Sequence, residues 1–179
     1  MKSIQLATTK LRSTPGLSAT FVMQSPQGTD NGTITMAGEK FMIDSRSIKI
    51  WYDGTTQWSY IPSRKEVNIT EPTSEELAQV NPYAIIGSLG KSFTAKTLPT
   101  KGDLKMVEMT AKNKKSDIKT VTIAIDKRNY PVSINMILSD GTPVSINISG
   151  IKEYGKTPGT ATFTFQNKFA PGAEIVDLR

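Results

Sequence analysis

The feature that most constrains this chain is a two-residue alternation of apolar and polar side chains. It is cleanest over residues 132–136 and 144–149, where Val, Ile or Met alternates with Ser or Asn. Because successive side chains of a strand point to opposite faces, each run predicts a strand with one dry and one wet face. Asp140-Gly141 lies between them as a turn. The pattern therefore favours antiparallel pairing in a curved sheet with one buried face.

Further short runs, separated by turn residues, extend this pattern along the chain. Asp53-Gly54 is a strong hairpin signal, because Gly tolerates the positive φ of a tight reversal. Close spacing of the runs is typical of a meander and not of βαβ units. Strands are predicted near residues 17–24, 33–36, 41–43, 48–52, 57–60, 66–70, 92–98, 104–111, 118–126, 131–138, 143–154 and 161–165.

Three segments have helical spacing instead. Residues 2–12 place apolar side chains near one face and are followed by Pro15-Gly16. A second helix is predicted from Thr73 or Ser74, either of which can cap it, to about Val80. A third is predicted over 82–89. The last two share an apolar stripe formed by Leu77, Val80, Tyr83, Ile86 and Leu89.

Composition removes several chemistries. The chain has no Cys and no His, so thiolate nucleophiles and His-dependent triads are excluded. Asp53 is explained by its turn, and Glu75-Glu76 by a helix N-terminus, since adjacent helical residues do not share a face. The sequence contains no phosphate-loop, dinucleotide or calcium-loop motif. We therefore expect no enzyme, no catalytic residue, no metal and no cofactor.

The net charge of +6 raises the question of an anionic partner. The densest basic cluster, Lys112 to Lys115, lies between two predicted strands and has no aromatic neighbour for base stacking. A solvated hairpin tip explains it, so we expect no nucleic-acid binding. Apolar runs such as 83–86 fall far short of the roughly 20 residues that span a bilayer.

The dry face of the sheet is either a filled core or a cavity, and periodicity leaves both open. Seven methionines in the chain favour an adaptable interior, because thioethers repack around varied apolar shapes. The candidate cavity-lining residues are Phe21, Met23, Ile34, Met36, Phe41, Ile43, Ile50, Trp58, Tyr60, Ile69, Tyr83, Ile86, Leu89, Met106, Ile134, Met136 and Ile146.

A longer motif points to a family. Residues 51–62 read WYDGTTQWSYIP and are followed by Glu66-Val67. This stretch resembles the D-G-x-x-x-W-x-Y-x-P signature of the outer-membrane lipoprotein carrier family, the LolA-like proteins. Weaker collinear similarities lie at 17–21, 25–28, 163–165, 171–172 and 176–177. One position departs: family members commonly carry a lid-controlling Arg between the second and third strands, where this chain has Gly38, Glu39 and Lys40.

The resemblance implies a single LolA-like domain over 1–179, mainly β with a few helices, folded as an incomplete, unclosed antiparallel β-barrel with a helical lid. It also implies a monomeric periplasmic carrier, in a mature form without its signal peptide, that binds the acyl chains of lipoproteins or lipids. Its partners would be an inner-membrane release complex and an outer-membrane acceptor. The alternative is an envelope scaffold or stress sensor that uses the same fold for protein contacts.

Overall fold

The computed structural model describes residues 2–81, 83–87 and 92–179. Its strands are β1 (Gly16–Ser25), β2 (Gly28–Ala37), β3 (Lys40–Ser45), β4 (Lys49–Tyr52), β5 (Gln57–Ile61), β6 (Glu66–Thr70), β7 (Phe93–Lys101), β8 (Leu104–Ala111), β9 (Ile118–Ile125), β10 (Pro131–Leu138), β11 (Pro143–Tyr154) and β12 (Glu174–Asp177). They form one sheet in the order β12-β6-β5-β4-β3-β2-β1-β11-β10-β9-β8-β7. The sheet does not close on itself, which confirms the predicted unclosed barrel.

The predicted helices are confirmed where the structure describes them. They are α1 (Lys2–Ser13), α2 (Ser74–Val80) and α3 (Ala84–Gly87). Thr73 is the N-cap of α2 and forms a capping box with Glu76, in which each side chain bonds the other residue's backbone N–H. Pro82 and Leu89, which the sequence places in the third helix, lie outside the described residues.

The inner face of the sheet carries the main core. Across β1 to β4, cross-strand pairing aligns Leu17 with Met36, Met36 with Phe41, and Phe41 with Tyr52. In β8 to β10, Val107 pairs with Ile123, which pairs with Ile134. Ile4 and Ala7 of α1 and Ile86 of α3 pack into the same cluster. The helices therefore cover the inner face, and the predicted helical lid is confirmed.

A second apolar cluster lies on the outer face. Trp51 follows Ile50 in β4 and so points the opposite way, where it stacks on Phe169 at 5.6 Å between ring centroids and meets Phe165 edge-on at 5.4 Å. Phe163 is 1% exposed, and Val67 on the same face of β6 is fully buried. We call these five residues the outer cluster.

The C-terminal segment that covers this cluster departs from the sequence prediction. Residues 161–165 were predicted as a strand, but the chain forms 3-10 helices at Thr160–Phe163 and Asn167–Phe169. Alternating Phe163 and Phe165 suggested a strand, whereas the irregular backbone brings aromatic rings onto Trp51. The chain then adds β12, which was not predicted and runs parallel to β6 in an otherwise antiparallel sheet.

Candidate functional site

A cavity of about 350 Å³ lies between the inner face of the sheet and the three helices. This volume is in the lower part of the roughly 300–1,000 Å³ range of small-molecule sites. The described residues that line it are Thr8, Leu11, Arg12, Met36, Gly38, Glu39, Phe41, Tyr52, Pro72, Ser74, Leu77, Asn81, Tyr83, Ala84, Ile86 and Ser92.

The floor of the cavity is apolar and rigidly placed. Met36 and Phe41 are neighbours across β2 and β3, and the ring of Phe41 lies 5.2 Å from that of Tyr52. Ile86 of α3 is 1% exposed and closes the opposite wall. Because the side chains of Met36, Phe41 and Ile86 are apolar and buried, this part of the cavity suits a hydrocarbon chain.

Two tyrosines present uncharged polar groups in these walls. The Tyr52 hydroxyl donates a hydrogen bond to the Gly54 carbonyl oxygen at 2.8 Å. The Tyr83 hydroxyl donates one to the Pro131 carbonyl oxygen at 3.3 Å. Burial raises the pKa of both phenols above the ordinary value, so both remain neutral at physiological pH. Their hydrogen bonds hold both rings in fixed positions in the wall without adding charge to it.

The α2 helix supplies one side of the opening. Ser74 and Leu77, in the first turn of α2, line the cavity. Asn81 lies at the C-terminal end of the helix, where its backbone N–H donates to the Leu77 carbonyl oxygen at 2.8 Å. The Asn81 side chain is buried and accepts a hydrogen bond from the Tyr83 backbone N–H at 2.9 Å. This bond fixes the turn that leads from α2 into α3.

Four of the predicted lining residues meet at the cavity: Met36, Phe41, Tyr83 and Ile86. Another eight lie on the inner face but pack into the core around it: Phe21, Met23, Ile34, Ile43, Ile50, Ile134, Met136 and Ile146. Leu89 lies outside the described residues. Whether the residues at the cavity bind a ligand stays a prediction.

The remaining four predicted residues lie on the other side of the sheet. Trp58 pairs with Trp51 and with Ile69, and Tyr60 pairs with Val67, so all of these side chains face outward. Met106 pairs with outward-facing Ala124, while Val107 and Met109 of the same strand point inward. The assignment of Trp58, Tyr60, Ile69 and Met106 to one common interior is therefore corrected by strand register.

Sequence reasoning missed Leu11, Arg12, Glu39 and Tyr52 as lining residues. Tyr52 could have been found from the hairpin, because it precedes Asp53-Gly54 on the same face as Ile50. Leu77 was part of the predicted apolar stripe, and the structure places it in the wall. Arg12 and Glu39, the two charged residues of the described lining, carry no periodic signal that distinguishes them from surface charges.

Several known proteins resemble this chain. The family model described as outer membrane lipoprotein carrier protein LolA matches residues 7–142, a span that contains every lining residue. None of the curated protein sequences compared with the chain matches it. None of the described helices is long and apolar enough to cross a membrane.

Solved structures share the fold at low sequence identity. An uncharacterized conserved protein of Thermus thermophilus has a TM-score of 0.66 and 8% identity, over 98% of this chain and 97% of that one. A DUF1329 family protein of Desulfovibrio piger has a TM-score of 0.52 and 11% identity, over 91% and 96%. MucB has a TM-score of 0.52 and 11% identity, and this chain spans 64% of its length. With this fold and the match over residues 7–142, the chain belongs to the outer membrane lipoprotein carrier protein LolA family.

Proposed function

We propose that this protein is a carrier that binds an acyl chain of a lipoprotein or lipid in the cavity and moves it toward the outer membrane. The observation that supports the proposal is the apolar floor of a cavity of about 350 Å³ beneath a helical cover. In this proposal the chain acts as one monomeric domain over residues 1–179 and works in the periplasm. It binds cargo without chemical change and needs no cofactor.

The physical need for such a carrier is large. Each acyl CH₂ that leaves a membrane for water costs about 0.8 kcal/mol, so even one chain is poorly soluble. A cavity lined by Met36, Phe41 and Ile86 removes that surface from water. A multi-chain anchor needs more room than this cavity offers, and α2 and α3 would have to move outward to admit it.

The proposed partners follow from that role. Cargo would be received from an inner-membrane release complex and passed to an outer-membrane acceptor. Both steps require the opening of the cavity to face the partner, and this opening lies between α1, α2 and the β2–β3 turn. We place the transfer surfaces there.

A cavity-filling substitution tests the proposal. Leu77→Trp inserts an indole into the cavity, and we expect it to abolish binding of a fluorescent acylated peptide that the wild type binds. Leu98→Trp is the matched control, because Leu98 is also half-buried but lies on the outer face of β7, paired with Met106. Ala84→Leu is a second, smaller filling variant in α3. Thermal unfolding of each variant shows whether it is folded.

Two outcomes would contradict the proposal. Wild-type protein purified from membranes and examined by native mass spectrometry could carry no acyl species and bind no acylated peptide. Alternatively, Leu77→Trp could bind as well as Leu98→Trp. Either result would favour the scaffold or stress-sensor alternative, in which the fold serves protein contacts.

A further inference from the structure

The opening of the cavity carries one charge of each sign. Arg12 lines it from the end of α1, and Glu39 lines it from the β2–β3 turn. Among the described lining residues these are the two with charged side chains. Both are exposed, whereas Met36 and Phe41 next to Glu39 in the lining are buried. The cavity therefore changes from hydrocarbon-like at its floor to charged at its rim.

Neither of these two charged side chains has an ion-pair partner within the described part of the protein. The structure pairs Lys10 with Glu153, Lys49 with Asp44, and Arg128 with Asp126, but within the described residues it gives the side chains of Arg12 and Glu39 no ion pair or hydrogen bond. The negative charge of Glu39 reaches the wall, since after burial it is the next cause of the raised pKa of Tyr52.

The two charged side chains belong to different elements of the structure. Gly38 has φ +61°, a left-handed conformation that Gly adopts without strain, and this turn presents Glu39 at the end of the β2–β3 hairpin. Arg12 comes from a different wall, in the last turn of α1. A guanidinium is suited to a phosphodiester, because it can donate two parallel hydrogen bonds, whereas a carboxylate is suited to an ammonium group.

From this arrangement we infer that the ligand is an amphiphile with a zwitterionic head group, a phosphodiester linked to an amine, above an acyl chain. The chain occupies the floor, Arg12 contacts the phosphodiester and Glu39 contacts the amine. This inference rests on the proposed acyl-binding function and selects, of its two cargo classes, a phospholipid over a lipoprotein.

Titration calorimetry with single-chain lipids tests it. All probes carry one lauroyl chain and are used below their critical micelle concentrations: lysophosphatidylethanolamine is zwitterionic, lysophosphatidylglycerol is anionic, and monolauroylglycerol is uncharged. We expect the wild type to bind the zwitterion most tightly. Arg12→Gln should reduce its affinity for both phospholipids by about two- to fivefold, the usual range for an exposed charge pair. Glu39→Gln should reduce the affinity for the zwitterionic lipid by a similar factor and leave the affinity for the anionic lipid unchanged.

Arg64→Gln and Glu174→Gln are matched controls, since both side chains are exposed and lie outside the cavity lining. Equal affinity of the wild type for all three lipids would overturn the inference and leave the proposed function standing. Unchanged head-group preference in both rim variants would do the same. Failure to bind any lipid, including the uncharged one, would instead contradict the proposed function itself. A zwitterion preference that only the rim variants lose would support the inference.

Discussion

The two apolar regions of this protein lie on opposite faces of one sheet and are built differently. On the inner face, β1 to β4 and β7 to β11 point apolar side chains toward α1, α2 and α3, and a cavity remains between them. On the outer face, the ring of Trp51 stacks on Phe169 and meets Phe165 edge-on. The inner region combines apolar walls with a cavity, and for this reason the proposed ligand site lies there.

Between β4 and β6 the buried apolar side chains switch from the inner face of the sheet to its outer face. Ile50 and Tyr52 of β4 still belong to the inner core, but their partners in β5 are Ser59 and Gln57. Beyond that point the apolar residues, such as Val67, face outward. The comparison teaches that an apolar alternation identifies a buried face without saying which side of the sheet it is on.

The largest expected effect is a loss of stability in the outer cluster. Trp51 is 3% exposed, and Trp51→Ala removes two ring contacts and leaves a void in a packed site. We expect the free energy of unfolding in urea to fall by about 3–5 kcal/mol. Binding of acylated peptide, measured where the variant is still folded, should not change.

Phe169→Ala is the control for this substitution. Phe169 is 41% exposed and contributes the outer ring of the same stack. Phe169→Ala should therefore lower the free energy of unfolding much less than Trp51→Ala does. If Trp51→Ala weakened ligand binding strongly in folded protein, the two regions would be coupled and the comparison would fail.

The second prediction concerns the cavity wall. Met36→Ala removes a side chain that already borders empty space. We therefore expect the free energy of unfolding to fall by about 2 kcal/mol, at the low end for such truncations. The enlarged cavity should also shift preference toward longer acyl chains, measured with a series of acylated peptides. Ile34→Ala is the matched control: Ile34 is 2% exposed on the same face of β2 but does not line the cavity. It should cost more stability and leave chain-length preference unchanged.

Much of the fold could be predicted because it depends on local patterns. The period of two placed β10 and β11, and Asp53-Gly54 placed the β4–β5 hairpin, where the Asp53 carboxylate accepts two backbone N–H bonds at 2.9 Å. The orientation of Trp58 could not be predicted in the same way. It depends on pairing with Trp51, which is covered by aromatic residues more than 100 positions along the chain.

The cavity was harder to predict than the sheet. Ile34 and Met36 have the same pattern in the sequence, yet one is surrounded by core and the other borders the cavity. The difference arises from how α1 and α3 sit on the sheet, which no local pattern reports. Arg12 and Glu39 likewise have no distinguishing signal in the sequence, and the role proposed for them rests on their shared position in the cavity lining.

The third prediction concerns the cap of α2. Thr73→Ala removes the capping hydroxyl, and we expect the free energy of unfolding in urea to fall by about 1 kcal/mol. The backbone and hydroxyl of Thr73 hold the pKa of Glu76 below its ordinary value. A lowered pKa means that this stabilisation is complete above the ordinary carboxyl pKa, about 4.3, and is lost as the pH falls through the folded value. Hydrogen exchange of α2 amides should therefore rise in acid, relative to the intrinsic exchange rate.

The outer region supplies the internal comparison for this titration. Arg179 bonds both carboxylate oxygens of Asp177 and lowers its pKa to about 2, so the end of β12 should keep this contact well below pH 4. Glu76→Gln can still accept the Thr73 N–H bond without a titrating charge, so it should remove the acid dependence of α2 exchange. An acid response that persists in this variant would assign the titration to another group.

The smallest expected effect lies where the buried apolar side chains switch faces of the sheet. The Oε1 atom of Gln57 is buried without a hydrogen-bond partner in the described structure, and its Nε2 donates to the Ser59 hydroxyl at 3.1 Å. Gln57→Leu deletes an unsatisfied acceptor, which ordinarily costs about 1–3 kcal/mol, together with one hydrogen bond worth about 1 kcal/mol. The free energy of unfolding in urea should therefore rise by between zero and about 2 kcal/mol. Ser59→Ala, which removes only the hydrogen bond, should be slightly destabilising. A marked loss in Gln57→Leu would mean that the polar inner side of β5 is required, and that the change of side at this strand is more than a consequence of where the aromatic cover lies.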